Sequence, residues 1–126
     1  MKTAHDLVEE AKKTIQEVSL NQADEAIKQA DVLLDVRDPD EYRASHIPGA
    51  TNISRGMLEF KFTNDPALES RDMKIVVYCK TSGRAALSAR ALKEMGYRHV
   101  QSIEGGFDAW EEAGKDVVKP DLPSFD

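Results

Sequence analysis

The residues best suited to chemistry are Cys79-Lys80-Thr81-Ser82-Gly83-Arg84, a short polar run directly after Lys74-Ile75-Val76-Val77-Tyr78. Cys79 is the only cysteine. A lone cysteine after a Val-rich stretch is by itself more often a small buried hydrophobe than a nucleophile. Its setting argues otherwise. The reactive form of cysteine is the thiolate, which forms more readily at a helix N-terminus and beside cations. Lys80 and Arg84 flank the cysteine, and Gly83 opens a helical pattern. The unpaired amides and positive dipole end of such a helix favour an anion. Arg84 has a planar fork suited to an oxyanion, whereas Lys80 supplies a mobile point charge.

The elements needed to position this loop are legible in the apolar pattern. Residues 74–78 read as a strand whose apolar part, from Ile75 on, is of the kind that fills an interior position. Ala85, Ser88, Ala89 and Leu92 recur at helical spacing, and Gly96 closes that helix. The loop therefore leaves the carboxyl end of a strand, the edge at which parallel α/β sheets bind ligands. Further strands are expected over residues 15–18, 32–36, 51–53 and 100–103. A helix over residues 20–30 begins at a Ser19/Gln22 capping box. Asp38, Pro39 and Glu41 start another, reaching Ala44. Residues 54–71 show a helical patch at 57–60 and an interruption at Pro66. Gly105-Gly106 leads into a helix carrying Phe107 and Trp110, capped by Gly114. The alternation predicts an α/β fold with a mainly parallel sheet.

Three segments follow: an N-terminal helical extension over residues 1–14, a domain over 15–118 and a C-terminal tail over 119–126. In the extension, Thr3 and Asp6 make a capping box and Leu7, Ala11 and Ile15 share a stripe, to be covered by the domain or by a partner. With 126 residues the chain suits one domain. Twenty-three acidic against seventeen basic residues give a net charge of −6, which disfavours general binding to nucleic-acid backbones. The longest apolar run, residues 75–79, is far below the roughly 20 residues of a membrane helix. Glu9 and Glu10 interrupt any signal-like start, so a soluble cytoplasmic protein is expected. One cysteine permits no internal disulfide, and three scattered histidines offer no metal-ligand spacing, so no metal site is expected.

Five motifs together resemble a single-domain rhodanese of the thiosulfate sulfurtransferase family. They are Asp35-Val36-Arg37, Glu41-Tyr42, His46-Ile47-Pro48-Gly49-Ala50, Val77-Tyr78-Cys79 with its loop, and Gly105-Gly106-Phe107 with Ala109-Trp110. The resemblance covers about residues 15–118. It implies a rhodanese-like three-layer fold, with a five-stranded, mainly parallel sheet and helices on both faces. It also implies a two-step sulfur transfer through Cys79, without a cofactor. A donor such as thiosulfate would leave a persulfide on Cys79, and cyanide or a thiol would remove the sulfur. The amides of Lys80, Thr81, Ser82, Gly83 and Arg84 would stabilise the persulfide. Four residues separate Cys79 from Arg84, whereas similar phosphatases and arsenate reductases place five there. The shorter loop favours a single sulfur over a tetrahedral oxyanion. Ser82 stands where relatives commonly have glycine, so a positive φ at that position would strain it.

Asp35 and Arg37 share the sheet edge with Cys79 and are second-rank site residues, with a structural ion pair the favoured reading. His46 is expected to make a structural hydrogen bond, while His5 and His99 lie at the surface. Phe107 and Trp110 are expected core anchors. Two other functions compete with a sulfurtransferase acting on small molecules. One is a non-enzymatic sulfur-relay module that docks a protein acceptor, and the other, disfavoured by loop length, is a phosphatase or arsenate reductase.

Overall fold

The computed structural model describes residues 1–120. Its five strands are β1 (Gln16–Val18), β2 (Val32–Asp35), β3 (Thr51–Asn52), β4 (Lys74–Tyr78) and β5 (His99–Ile103). They form one sheet in the order β1-β5-β4-β2-β3, and every pairing is parallel, so the expected mainly parallel sheet is wholly so. All strand carboxyl ends thus lie at one edge. In register, Asp35 pairs with Tyr78 and Val77 with Ser102, which puts Asp35 of β2 beside the start of the Cys79 loop.

The helices are α1 (Ala4–Lys12), α2 (Leu20–Gln29), α3 (Pro39–Ala44), α4 (Leu58–Asn64), α5 (Gly83–Glu94) and α6 (Gly106–Glu112). Strand alternation divides the core between the two faces of the sheet. Leu34, Ile75, Val77 and Cys79 pack toward α4 and α5, beside Leu58, Phe62, Ala85, Ala89 and Leu92. Leu33, Val76, Tyr78 and Ile103 pack the other way, against Ala23 of α2 and Phe107 and Trp110 of α6. Small residues on α5 let it approach the sheet closely, and this sets the depth of its N-terminus below the loop.

Four local expectations are refined. Ser19 makes no side-chain cap, because the first turn of α2 is closed by the main chain, with Gln22 N–H donating to Ser19 O at 3.0 Å. The stretch 54–71 contains two 3-10 turns, Arg55–Met57 and Pro66–Leu68, on either side of α4. The Thr3/Asp6 capping box forms, but α1 buries Ala11 and leaves Leu7 exposed, since the helix lies against α5 and not centrally on the sheet. Val118, the last residue of the expected domain, forms an antiparallel bridge with His46, and the expected tail lies outside the described residues from residue 121.

Candidate active site

Cys79 follows the last residue of β4 and faces α5. It is 1% exposed, among Val36, Val77 and Ala85. The chain leaves Cys79, makes the loop, and returns to its sulfur: Ala85 N–H donates to Cys79 Sγ at 3.3 Å. The loop therefore closes around the thiol. The amide that contacts the sulfur belongs to the residue just beyond the stretch 80–84.

The direction of the other loop amides follows from α6. Phe107 N–H donates to Cys79 O at 2.8 Å and Asp108 N–H to Lys80 O at 3.0 Å. A Cβ placed on Gly106 would stand 2.3 Å from Thr81 O, 2.5 Å from Cys79 O and 2.8 Å from Lys80 O. Three successive carbonyls thus converge on Gly106, whose φ of +58° also suits glycine. In a trans peptide the N–H points opposite to the C=O. The amides of Lys80, Thr81 and Ser82 must therefore turn away from α6. Among the described residues, no acceptor takes the amide hydrogens of residues 80–84. Ser82 has φ −152°, so the strain that a positive φ would have brought at that position does not arise.

The Arg84 fork, expected to take an oxyanion, is engaged by a carboxylate. Its Nη1 donates to Glu41 Oε1 at 2.6 Å and its Nη2 to Glu41 Oε2 at 3.0 Å. Glu41 Oε1 also accepts the Asp38 N–H at 3.1 Å, so the capping acid of α3 holds the first turn of α5 as well. The Arg84 bonds are the main reason the Glu41 carboxyl is lowered to about 2, and the same bonds raise the Arg84 guanidinium above its ordinary value. Lys80 Nζ bonds Asp108 Oδ2 at 2.8 Å across the mouth. The sequence marked Glu41 as a capping acid and as part of the Glu41-Tyr42 motif, without pairing it to Arg84, and gave Asp108 no role.

Asp35 and Arg37 form a buried pair. Arg37 Nη2 donates to Asp35 Oδ2 at 2.8 Å and to Ser45 O at 2.7 Å. Burial opposes the Arg37 charge, but hydrogen bonds and charge from Asp35 outweigh it and raise the guanidinium above its ordinary value. Arg37 also stacks over the Phe107 ring at 4.4 Å, and Phe107 is the residue that holds Cys79 O. Asn52 Nδ2 donates to Asp35 O and Arg37 O at 3.0 and 2.9 Å, fixing the end of β2, a role its sequence position did not announce. His46 Nδ1 lies 3.0 Å from Tyr42 O, and its ring stacks on Tyr42, in keeping with a structural part. No cluster of three or more metal-ligating side chains occurs among the described residues.

A family model for the rhodanese-like domain matches residues 16–113. The chain belongs to the rhodanese-like domain family. Thiosulfate sulfurtransferase GlpE of Pseudoalteromonas translucida is 34% identical over 108 residues, which span 81% of this chain and 94% of that protein. A sulfurtransferase of Allochromatium vinosum is 30% identical over 90 residues, or 71% of this chain and 80% of its own. A solved structure from Rhodopseudomonas palustris, described as a protein of unknown function and possible tyrosine phosphatase, superposes with a TM-score of 0.82 at 32% identity. That match covers 94% of this chain and 96% of the other. The rhodanese-like match begins at residue 16, so α1 precedes it. No described helix is long and apolar enough to cross a membrane.

Proposed function

We propose that this rhodanese-like domain is a cytoplasmic sulfurtransferase that carries sulfane sulfur as a persulfide on Cys79. The Cys79 thiolate attacks the outer sulfur of thiosulfate or a similar donor. A new S–S bond forms on Cys79 as the donor's S–S bond breaks, and with thiosulfate the leaving group is sulfite. A thiol or cyanide then attacks the outer sulfur and restores the thiolate. No net electron transfer is needed, and no cofactor takes part. Dividing one difficult transfer into two displacements is covalent catalysis, and it leads to ping-pong kinetics.

The observation that carries this reading is the set of unpaired amides at residues 80–84 on a loop that returns to Cys79 Sγ through Ala85. Preorganised N–H donors in a water-poor site stabilise an anion far better than donors that must first reorient. Lys80, Thr81, Ser82, Gly83 and Arg84 contribute chiefly through the main chain in this account. The Arg84 side chain is a positioning group, joined to Glu41. Asp35 and Arg37 support the loop through Phe107 and do not touch the donor.

Incubation with excess thiosulfate should add one sulfur atom to the intact protein, and a thiol should remove it. Cys79→Ser should neither gain the sulfur nor form thiocyanate from cyanide. Full turnover by Cys79→Ser would overturn the assignment, and Cys79-dependent hydrolysis of an aryl phosphate without sulfur loading would replace it with a phosphatase. A sulfur-relay module would load sulfur yet release it to one protein acceptor much faster than to small thiols or cyanide.

A further inference from the structure

The first turn of α5 lacks the device that usually closes a helix. Its N-cap residue, Ser82, makes no side-chain cap, whereas α1 starts with a complete capping box. An N-cap oxygen ordinarily accepts the amide of the second or third helical residue. In α5 these are Arg84 and Ala85, and the Ala85 N–H is given to Cys79 Sγ at 3.3 Å. The sulfur thus stands where a capping oxygen would. A main-chain bond, Ala86 N–H to Ser82 O at 2.9 Å, begins the helix, and the amides of residues 80–84 have no acceptor among the described residues.

Such a turn must be held by its neighbours, because a helix end without a cap frays. Glu41 of α3 holds it through the side chain of Arg84. A second support comes from α1. A Cβ on Gly83 would lie 3.5 Å from Val8 Cγ2, so a Val8 methyl faces the bare main chain of the first α5 residue. α1 is fastened independently of that contact. Ala11 is fully buried, and Lys93 Nζ, in the last turn of α5, donates to Thr14 O at 2.5 Å just past the end of α1. α1 therefore runs beside α5 from its first turn to its last, and half-buried Val8 is a side chain it brings to the loop end.

We propose that Val8 is a positioning residue for the Cys79 sulfur: by packing on Gly83 it keeps the uncapped first turn of α5 closed on the sulfur, so that the Ala85 amide is aimed before any donor arrives. This role rests on the Cys79 persulfide reading given above. α1 precedes the residues that match the rhodanese-like family, so this support is added to the matched domain from outside it. An aligned donor stabilises a sulfur anion without having to reorient, whereas a loosened one must be reordered first. The effect of Val8 therefore falls on the rate of the chemical step and not on donor binding.

Full-length wild type, Val8→Ala and Val8→Ile are compared at a temperature where circular dichroism shows all three folded. Amide hydrogen exchange at Ala85 should be several-fold faster in Val8→Ala, with residues 87–92 unchanged, and close to wild type in Val8→Ile. Sulfur loading of Cys79 is followed by intact-protein mass spectrometry over a thiosulfate series. Its limiting rate should fall about fivefold in Val8→Ala, part of what a hydrogen bond to a charged group is worth. The half-saturating thiosulfate concentration should stay within about twofold of wild type, and Val8→Ile should keep the wild-type limiting rate. Unchanged Ala85 exchange in Val8→Ala, or faster exchange with an unchanged limiting rate, overturns the role of Val8 while sulfur transfer stands. An equal loss in Val8→Ile, or a loss confined to the half-saturating concentration, does the same. A wild-type chain that does not load sulfur overturns the persulfide reading, and the role of Val8 with it.

Discussion

The carbonyl of Cys79 accepts the amide hydrogen of Phe107 at 2.8 Å, so the residue carrying the candidate nucleophile is tied by its main chain to the first turn of α6. That bond turns the first peptide of the loop, and the Asp108 bond to Lys80 O turns the second. Gly106 makes the approach possible. Rigidity at α6 is thus converted into the direction of the loop amides, which turn away from that helix.

Gly106→Ala is the sharpest test of this coupling. A methyl group would collide with three loop carbonyls and would hold alanine at φ +58°. Urea denaturation should show a loss of roughly 2–4 kcal/mol, combining backbone strain with displaced packing. Sulfur loading of the folded fraction should fall by more than tenfold. Near-wild-type loading in a stable Gly106→Ala protein would detach the loop's geometry from its chemistry.

Glu41 makes stability depend on acid. Its carboxyl is lowered from 4.5 to about 2 in the folded chain, mainly by the Arg84 hydrogen bonds. Protonation is therefore easier in the unfolded chain. The contribution is whole above pH 4.5 and is lost as pH falls toward about 2. Glu41→Gln should be less stable than wild type at pH 7, and the difference should shrink steadily between those two pH values. An unchanging difference across that window would rule out the carboxylate as its source.

Asp35→Ala leaves the buried Arg37 guanidinium without its carboxylate. Breaking one side of such a pair costs about 3–5 kcal/mol. Chemical denaturation should register that loss, while sulfur loading at permissive temperature stays within a few-fold of wild type. A stable Asp35→Ala protein with abolished loading would instead place this pair in contact with the donor.

Removal of residues 1–14 tests whether α1 belongs to the fold. Ala11 is fully buried, and Val8 lies 3.5 Å from where a Cβ on Gly83 would sit, so α1 covers the start of α5. Loss of this packing should lower stability by on the order of 2 kcal/mol. A truncated chain with an unchanged thermal midpoint would show α1 to be a passive appendage.

Much of this arrangement was legible in the sequence because it depends on local period and punctuation. The run before Cys79 could only be an interior strand, the small-residue stripe after Gly83 had to be a helix packed closely on it, and the loop between them was thereby placed at the carboxyl edge. Pairings between distant residues left no comparable signal. Glu41 and Arg84 are 43 positions apart, and a capping acid shows nothing of what its second oxygen will hold. The demand for glycine at residue 106 comes from carbonyls contributed by another segment. Whether the position of Ser82 needed a positive φ was open for a related reason, and this backbone does not use one there. The side of the domain that α1 would cover was likewise open, since amphipathic period fixes a buried face but not its partner.

The most direct measurement is intact mass and peptide mapping of the purified, non-reduced protein before and after brief exposure to a sulfane-sulfur donor, for wild type and Cys79→Ser. The account predicts one added sulfur atom, located on the peptide bearing Cys79, released by excess thiol and absent from Cys79→Ser. A wild-type protein that never gains that atom under any donor, or a Cys79→Ser protein that gains it equally, would contradict the account.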